Sequence, residues 1–394
     1  MTDPKIYLAV DNCFASKRWT RPAEWMDVLG SMGVACVEAS SDTEVDPLYM
    51  GPDYLERWME EVKEEGAKRG MRVVNLFSGH GSYMTLGLAH HDPAVRDRFQ
   101  QMWLKPMIRT AASLDAGFGF YCHAFSDAVL QNPAANDAME TELYDRLADL
   151  AVYARELGMR TPGVEQMYTP HQMPWTIEGA KRLLREVYRR SRSPFYLTLD
   201  TGHQSGQRKF VRPRAEQIAE AAARFRDGGH QPAFWLGPKT ADEAFARLIE
   251  TPEGDEEREI ARILAEMDAY PHLFAEPEDG DTYRWIQELG GYSPIMHLQQ
   301  TTGLSSAHLP FTEEHNRSGI VHGKAVLDAL AAAYSTPDED GMPPKCGEVY
   351  LTLEVFSGTS ELNADILHKI RKSVEYWRNF IPVDGLRLSE LIGL

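Results

Sequence analysis

Along most of this chain a short strand-like apolar run is followed by a longer run with apolar residues at helical spacing, and this alternation limits what the chain can fold into. "IYLAV" (Ile6 to Val10) precedes "RPAEWMDVLGSMG", and "VACVEAS" (Val34 to Ser40) precedes "GPDYLERWMEEVKEEGAKRG". "RVVNLFSG" (Arg72 to Gly79) precedes "PAVRDRFQQMWLKPMIRTAASLD", and "GFGFYCHAF" (Gly117 to Phe125) precedes "METELYDRLADLAVYARELG". "TPGVEQM" leads into "TIEGAKRLLREVYRRSR", and "FYLTLD" into "RAEQIAEAAARFRDGG". "SPIMHLQQ" (Ser293 to Gln300) leads into "GKAVLDALAAAYS", and "EVYLTLEVF" (Glu348 to Phe356) into "ELNADILHKIRKSVEYWRNFI".

A helix between consecutive strands favours parallel pairing, because the chain must cross back before the next strand can run the same way. Eight such units close naturally into an α/β (β/α)8 TIM barrel, expected here as one domain spanning residues 1–394. An open doubly wound sheet is disfavoured, since no GxGxxG follows the first strand. One unit is oversized: about ninety residues separate Asp200 from Ser293, where roughly thirty suffice. Residues 205–290 are therefore expected to include a helical insertion between strands six and seven, lying over the barrel mouth as a lid or a subunit contact.

The polar residues at strand ends come next, because in a barrel these ends share one rim. His80 lies near the end of strand three and His123 on strand four. Glu165 ends strand five, Asp200 and His203 end strand six, His297 lies on strand seven and Glu354 on strand eight. A carboxylate inside an apolar run such as "YLTLEVF" costs several kcal/mol to bury unpaired. A divalent cation joining several such groups offsets that cost. Glu165, Asp200, His297 and Glu354 form a three-oxygen, one-nitrogen ligand set suited to one Mn²⁺ or Mg²⁺, and acceptable to Co²⁺, Zn²⁺ or Fe²⁺.

Glu165, "LDTGH", "MHLQQ" and "LTLEVF", in that order and at those strand positions, resemble the xylose isomerase-like barrel superfamily, which includes tagatose and psicose 3-epimerases and endonuclease IV. The resemblance covers most of the chain outside the insertion. It implies that the four presumed ligands hold the metal, and that His203 touches the substrate. It also implies a sugar isomerase or epimerase in which Glu165 and Glu354 serve as acid and base, moving a proton through an enediolate. His80, His123, Glu38 and His308 are further candidates for substrate contact, and Trp19, Phe77 and Phe356 for apolar walls. Asp11 and Asn12, after strand one, are either polar lining or loop residues. Classical xylose isomerases carry Glu-x-Lys-Pro after strand five; here Glu165-Gln166-Met167-Tyr168 lacks the lysine, which favours proton transfer over a hydride shift.

Two alternatives share the barrel: decarboxylation or cleavage of a keto-sugar acid, and a phosphodiesterase with three zinc ions, as in endonuclease IV. Glu313 and His315 offer an E-x-H pair for the latter. The net charge of -18 argues against a grip on nucleic acid. Cys13, Cys36, Cys122 and Cys346 form no CxxC pair and read as buried thiols of a reducing compartment. With no signal peptide and no long apolar run, a cytoplasmic protein without a membrane partner is expected. A homo-oligomer is expected by analogy with other barrels.

Overall fold

Eight strands pair in parallel and close on themselves in the computed structural model, which describes residues 2–79, 87–228, 234–252 and 254–393. They are β1 (Lys5–Asp11), β2 (Cys36–Ser40), β3 (Arg72–Phe77), β4 (Gly117–Phe120), β5 (Pro162–Glu165), β6 (Tyr196–Asp200), β7 (Ile295–Leu298) and β8 (Glu348–Leu353). β1 pairs in parallel with both β2 and β8, which shuts the ring and leaves no open edge. A two-residue strand, β9 (Leu386–Arg387), is added to β1 antiparallel. The protein is the (β/α)8 barrel expected from the alternation.

The major helices, in chain order, are α1 (Pro22–Gly30), α2 (Pro52–Arg69), α3 (Lys105–Ser113), α4 (Pro133–Glu156), α5 (Ile177–Ser191), α6 (Ala215–Arg226), α7 (Lys239–Glu250), α8 (Glu257–Asp268), α9 (Thr282–Leu289), α10 (Gly323–Ser335) and α11 (Asn363–Arg378). Local chemistry sets many of their starts. Asn132 accepts the Ala135 N–H, Thr176 the Gly179 N–H and Asp281 the Tyr283 N–H, each satisfying a first-turn donor. The outer faces of the strands and the inner faces of the helices share one apolar core containing Trp25, Trp285 and Trp377, all fully buried.

The sixth unit departs from the sequence reading. "RAEQIAEAAARFRDGG" becomes α6, which packs on α7 and α8 rather than on the barrel. The helix that packs between α5 and α10 is α9, through Trp285, Ile286 and Leu289. The insertion, α6 to α8, is thus a small helical layer, whose neighbouring loops meet the segment after β4. Gln131 Nε2 donates to the Gly237 carbonyl at 3.3 Å, and His272 Nε2 lies 2.8 Å from the Leu130 carbonyl.

Inside the ring, side chains alternate with period two. A buried apolar layer of Ala9, Cys36, Val74, Ile295 and Tyr350 fills the lower interior. One step of two residues up β1, β2, β7 and β8 reaches Asp11, Glu38, His297 and Thr352, all at most 1% exposed. The barrel is therefore apolar below and acidic above. All four cysteines are buried free thiols, and no described helix is long and apolar enough to cross a membrane.

Candidate active site

Glu165 ends β5, Asp200 ends β6, His297 lies within β7, and Glu354 is the first residue past β8. One potential ligand atom from each lies within 4.8 Å of the others. The spacing follows from the ladders. Asp200 is paired directly with His297, and the Glu354 N–H donates to the Leu298 carbonyl at 3.1 Å. Four potential ligands distant in sequence thus meet because their strands are neighbours.

His297 Nδ1 faces this group, 3.0 Å from Glu165 Oε1 and 3.4 Å from Glu354 Oε2. The second oxygen of Glu165 and Oε2 of Glu354 are buried without a hydrogen bond. A buried carboxylate oxygen with no donor is costly, and a cation between these groups removes that cost. The donor set of three carboxylates and one imidazole fits a divalent ion of the Mn²⁺, Mg²⁺, Co²⁺ or Zn²⁺ kind.

Asp200 is the best supported of the acids. It accepts from the Gly202 N–H at 2.6 Å, the His203 N–H at 3.1 Å, and Gln299 Nε2 at 2.8 and 3.0 Å. Burial opposes its charge, but His203, His308, His297 and the Gln299 amide outweigh it and hold the carboxyl below the usual range. Glu354 goes the other way: burial, with Asp200 and Glu165 nearby, pushes it well up against the pull of His297. Burial works against a proton on His297 too, yet Glu38, Glu354 and Glu165 overcome it and raise its pKa well above the ordinary value.

His203 stands at the rim, its Nδ1 2.7 Å from the Gln166 carbonyl, its Nε2 3.9 Å from Asp200 Oδ1, and its ring against Tyr168. His308 lies over Glu354, Nδ1 to Oε2 3.3 Å, with its ring against Phe356 and a positive φ of 45°. Both histidines border the group of potential ligands. His123 lies past the end of β4 rather than on it, almost fully buried and stacked with Tyr121. Burial, then proximity to His203, pushes its pKa down to about 4. His80 lies outside the described residues.

Glu38 does not line the substrate space. Its Oε1 is 2.6 Å from His297 Nε2 and its Oε2 accepts from Asn75 Nδ2 at 2.5 Å, so both oxygens are engaged below the rim. Asn12 accepts the Ser40 N–H at 2.8 Å and fixes a loop, and Asp11 accepts the Cys13 N–H at 2.7 Å within the acidic layer. Phe77 packs edge-on against His297 with centroids 4.7 Å apart, and Trp19 packs against Phe14. The E-x-H pair turns away: Glu313 is 87% exposed and paired with Arg317, and His315 bonds Thr312. That removes two of the groups a three-zinc centre would need.

Sequence reasoning missed Gln299, whose amide joins Asp200 to the His308 backbone, donating to the former and accepting from the latter's N–H at 2.7 Å. Gln299 is two residues beyond His297, so the same alternation aims it inward, and Gly202 leaves the space it fills. A cleft of about 620 Å³ on the flank is lined by Trp175, Lys181, Arg182 and Glu288, and among the described residues no comparable group of ligand atoms gathers there.

The sequence model described as xylose isomerase-like TIM barrel matches residues 26–228, just over half of the chain. A D-erythrulose 1-phosphate 3-epimerase from Brucella abortus (strain 2308) is 26% identical over 128 residues, 32% of this chain and 38% of that protein. The match thus spans less than half the length of this relative. A crystal structure from Rhodospirillum rubrum ATCC 11170, provisionally named a xylose isomerase, aligns with a TM-score of 0.68 at 19% identity, covering 95% of this chain and 99% of that one. D-psicose 3-epimerase from Clostridium cellulolyticum H10, solved with D-tagatose, aligns with a TM-score of 0.54 at 10% identity, covering 95% and 98%. At these identities the two structures speak for the shared fold.

Proposed function

We propose, for a chain that belongs to the xylose isomerase-like TIM barrel family, that it is a metal-dependent isomerase or epimerase of a small ketose or ketose derivative. The observation that carries this reading is the group Glu165, Asp200, His297 and Glu354, gathered at the ends of four successive strands with one oxygen of Glu165 and one of Glu354 buried without a hydrogen bond. The relative acting on D-erythrulose 1-phosphate supports a short-chain ketose, with or without a phosphate.

Glu165, Asp200, His297 and Glu354 would hold the ion. When bound, the ion would supply Lewis acidity toward adjacent carbonyl and hydroxyl oxygens of a sugar, making the C–H of the hydroxyl-bearing carbon next to the carbonyl more acidic. Glu165 and Glu354 approach from β5 and β8, so one carboxylate takes the proton and the other returns one, on the opposite face for epimerisation. His203 and His308 orient the sugar oxygens from the rim, and Phe77 and Tyr121 form an apolar floor beside them. Buried free thiols fit a cytoplasmic setting.

The test is solvent exchange. The protein, supplied with Mn²⁺, is incubated in D₂O with a panel of four- to six-carbon ketoses and their 1-phosphates, and read by proton NMR. Deuterium entering next to the carbonyl of one substrate, with isomer formation, is the expected result. No exchange across the panel would overturn the reading, and isomerisation without wash-in would replace proton transfer by a hydride shift.

A further inference from the structure

We infer that Glu38, held by Asn75, is the positioning carboxylate of the metal centre: it fixes the ring of His297 so that Nδ1 is presented to the ion. This deepens the proposed function and rests on it. His297 is fully buried, and its two nitrogens point in opposite chemical directions. Nδ1 faces Glu165 and Glu354, the other presumed ligands. Nε2 faces Glu38 Oε1 at 2.6 Å. With Nδ1 given to an ion, the ring keeps its proton on Nε2 and donates it to Glu38. An imidazole whose far N–H is accepted by a carboxylate is a better electron donor and cannot rotate away.

The support extends outward through a defect in the sheet. β2 and β3 pair Val37 with Val73 but then Glu38 with Asn75, so β3 carries one extra residue there. As a result Val74 joins the apolar layer inside the ring, and Asn75, the very next residue, also reaches inward to Glu38. In a regular strand these two would face opposite ways. The space for Asn75 comes from β4, where Gly117 is its ladder partner. A Cβ on Gly117 would lie 2.7 Å from Asn75 Oδ1 and closer still to Thr161 Oγ1. Phe77, two residues past Asn75, closes the remaining side of the His297 ring. Glycine, bulge, amide, carboxylate and imidazole thus form one line of contacts ending at the ion site.

A competing assignment makes Glu38 a ligand itself, because Asp11, Glu38 and His297 also bring ligand atoms within 4.8 Å of one another. Its second oxygen is taken by Asn75, and His297 belongs to both groups, which favours one ion with Glu38 behind the histidine.

The experiment is Mn²⁺ titration of chelator-stripped protein by calorimetry, with Co²⁺ absorption as a second readout, for wild type, Glu38→Gln, Asn75→Ala and Glu38→Asp. Wild type should bind one ion in the barrel. Glu38→Gln should keep that stoichiometry, weaken Mn²⁺ by about 10- to 100-fold and shift the Co²⁺ spectrum. Asn75→Ala should weaken it less, and Glu38→Asp should recover part of the loss. Should Glu38→Gln fail to fold, Asn75→Ala tests the same role through its smaller loss of affinity and its shifted Co²⁺ spectrum. Mn²⁺ affinity and Co²⁺ spectrum unchanged in the variants would overturn the positioning role. Two ions in wild type falling to one in Glu38→Gln would make Glu38 a ligand and overturn it too. No ion bound by wild type would instead remove the proposed function beneath it.

Discussion

Glu354 sits where several opposing forces meet: it is buried, close to two other acids, and drawn toward two histidines. Replacing it by glutamine keeps the shape and removes the charge that burial penalises. Glu354→Gln is therefore expected to cost about 10²- to 10⁴-fold in kcat while the metal-free protein melts no lower than wild type. Steady-state assays beside thermal denaturation check both halves, and a variant that loses activity only by unfolding would contradict the assignment. Glu44 offers a second case, away from the chemistry. It is 1% exposed and accepts a hydrogen bond from Trp25 Nε1. Burial, only partly countered by indole N–H donors, raises its pKa to about 7. The folded protein then holds this proton more tightly than the unfolded chain, so its contribution is present below about pH 4.5 and is lost as pH rises through about 7. The loss is of order 3 kcal/mol. Glu44→Gln should be the more stable protein at pH 8 and lose that advantage by pH 4, as denaturant titrations at the two pH values would show. The grouping of Glu165, Asp200, His297 and Glu354 was legible in sequence because a charged residue in an apolar strand demands a partner. Glu38 drew notice for the same reason, but its role was not legible. Which neighbour it meets depends on an extra residue in β3 that leaves no mark on the apolar pattern. Gln299 and Asn75 are neutral amides and signal no burial cost at all.

At the scale of the element, the repeat "GFGF" of β4 is more than a permissive strand. Its glycines face inward by alternation, opposite side chains that need their space, whereas Phe118 and Phe120 face the helices and are buried in the main core. A Cβ on Gly119 would meet Phe77 Cδ2 at 2.8 Å, Cε2 at 2.9 Å and Thr198 Oγ1 at 3.1 Å. Phe77 in turn rests on His297. Gly119→Ala should therefore destabilise by about 1–3 kcal/mol and also weaken Mn²⁺ binding, the coupling being the informative part. Denaturation and calorimetry on the same preparation decide it, since loss of stability with full metal affinity would mean that Phe77 yields away from the histidine. The strand–helix order was readable from periodicity alone. The helix completing the sixth unit was not, because α6 and α9 are both amphipathic. Only packing distinguishes them: α9 buries Trp285 between α5 and α10, whereas α6 has the insertion to cover its apolar face.

Across the whole molecule, part of the acidic excess that gives the charge of -18 sits where it is hardest to bear. Asp11, Glu38, Glu165, Asp200 and Glu354 are each at most 3% exposed and share His297 as their central partner. Five buried acids gathered about His297, with only His203 and His308 beside them at the rim, form a layer that a dication neutralises more completely than these imidazoles do. Binding that is restricted to the folded state adds stability by mass action, about 2.7 kcal/mol when free ion stands at about 100 times its dissociation constant. For a chain of 394 residues, with about 2.1 cal/mol/K of unfolding entropy per residue, this corresponds to a rise in Tm of about 3 °C. Chelator-stripped protein should therefore melt about 3 °C lower than protein in saturating Mn²⁺. Acidic surfaces also attract cations weakly, so the control is Asp200→Asn, which removes a ligand charge while leaving a side chain that fits between Gln299 and the Gly202 N–H. Differential scanning of both proteins with and without Mn²⁺ separates the cases. A shift confined to wild type places the ion in the barrel, and an equal shift in the variant would assign it to the surface and leave the acidic layer without a counter-ion.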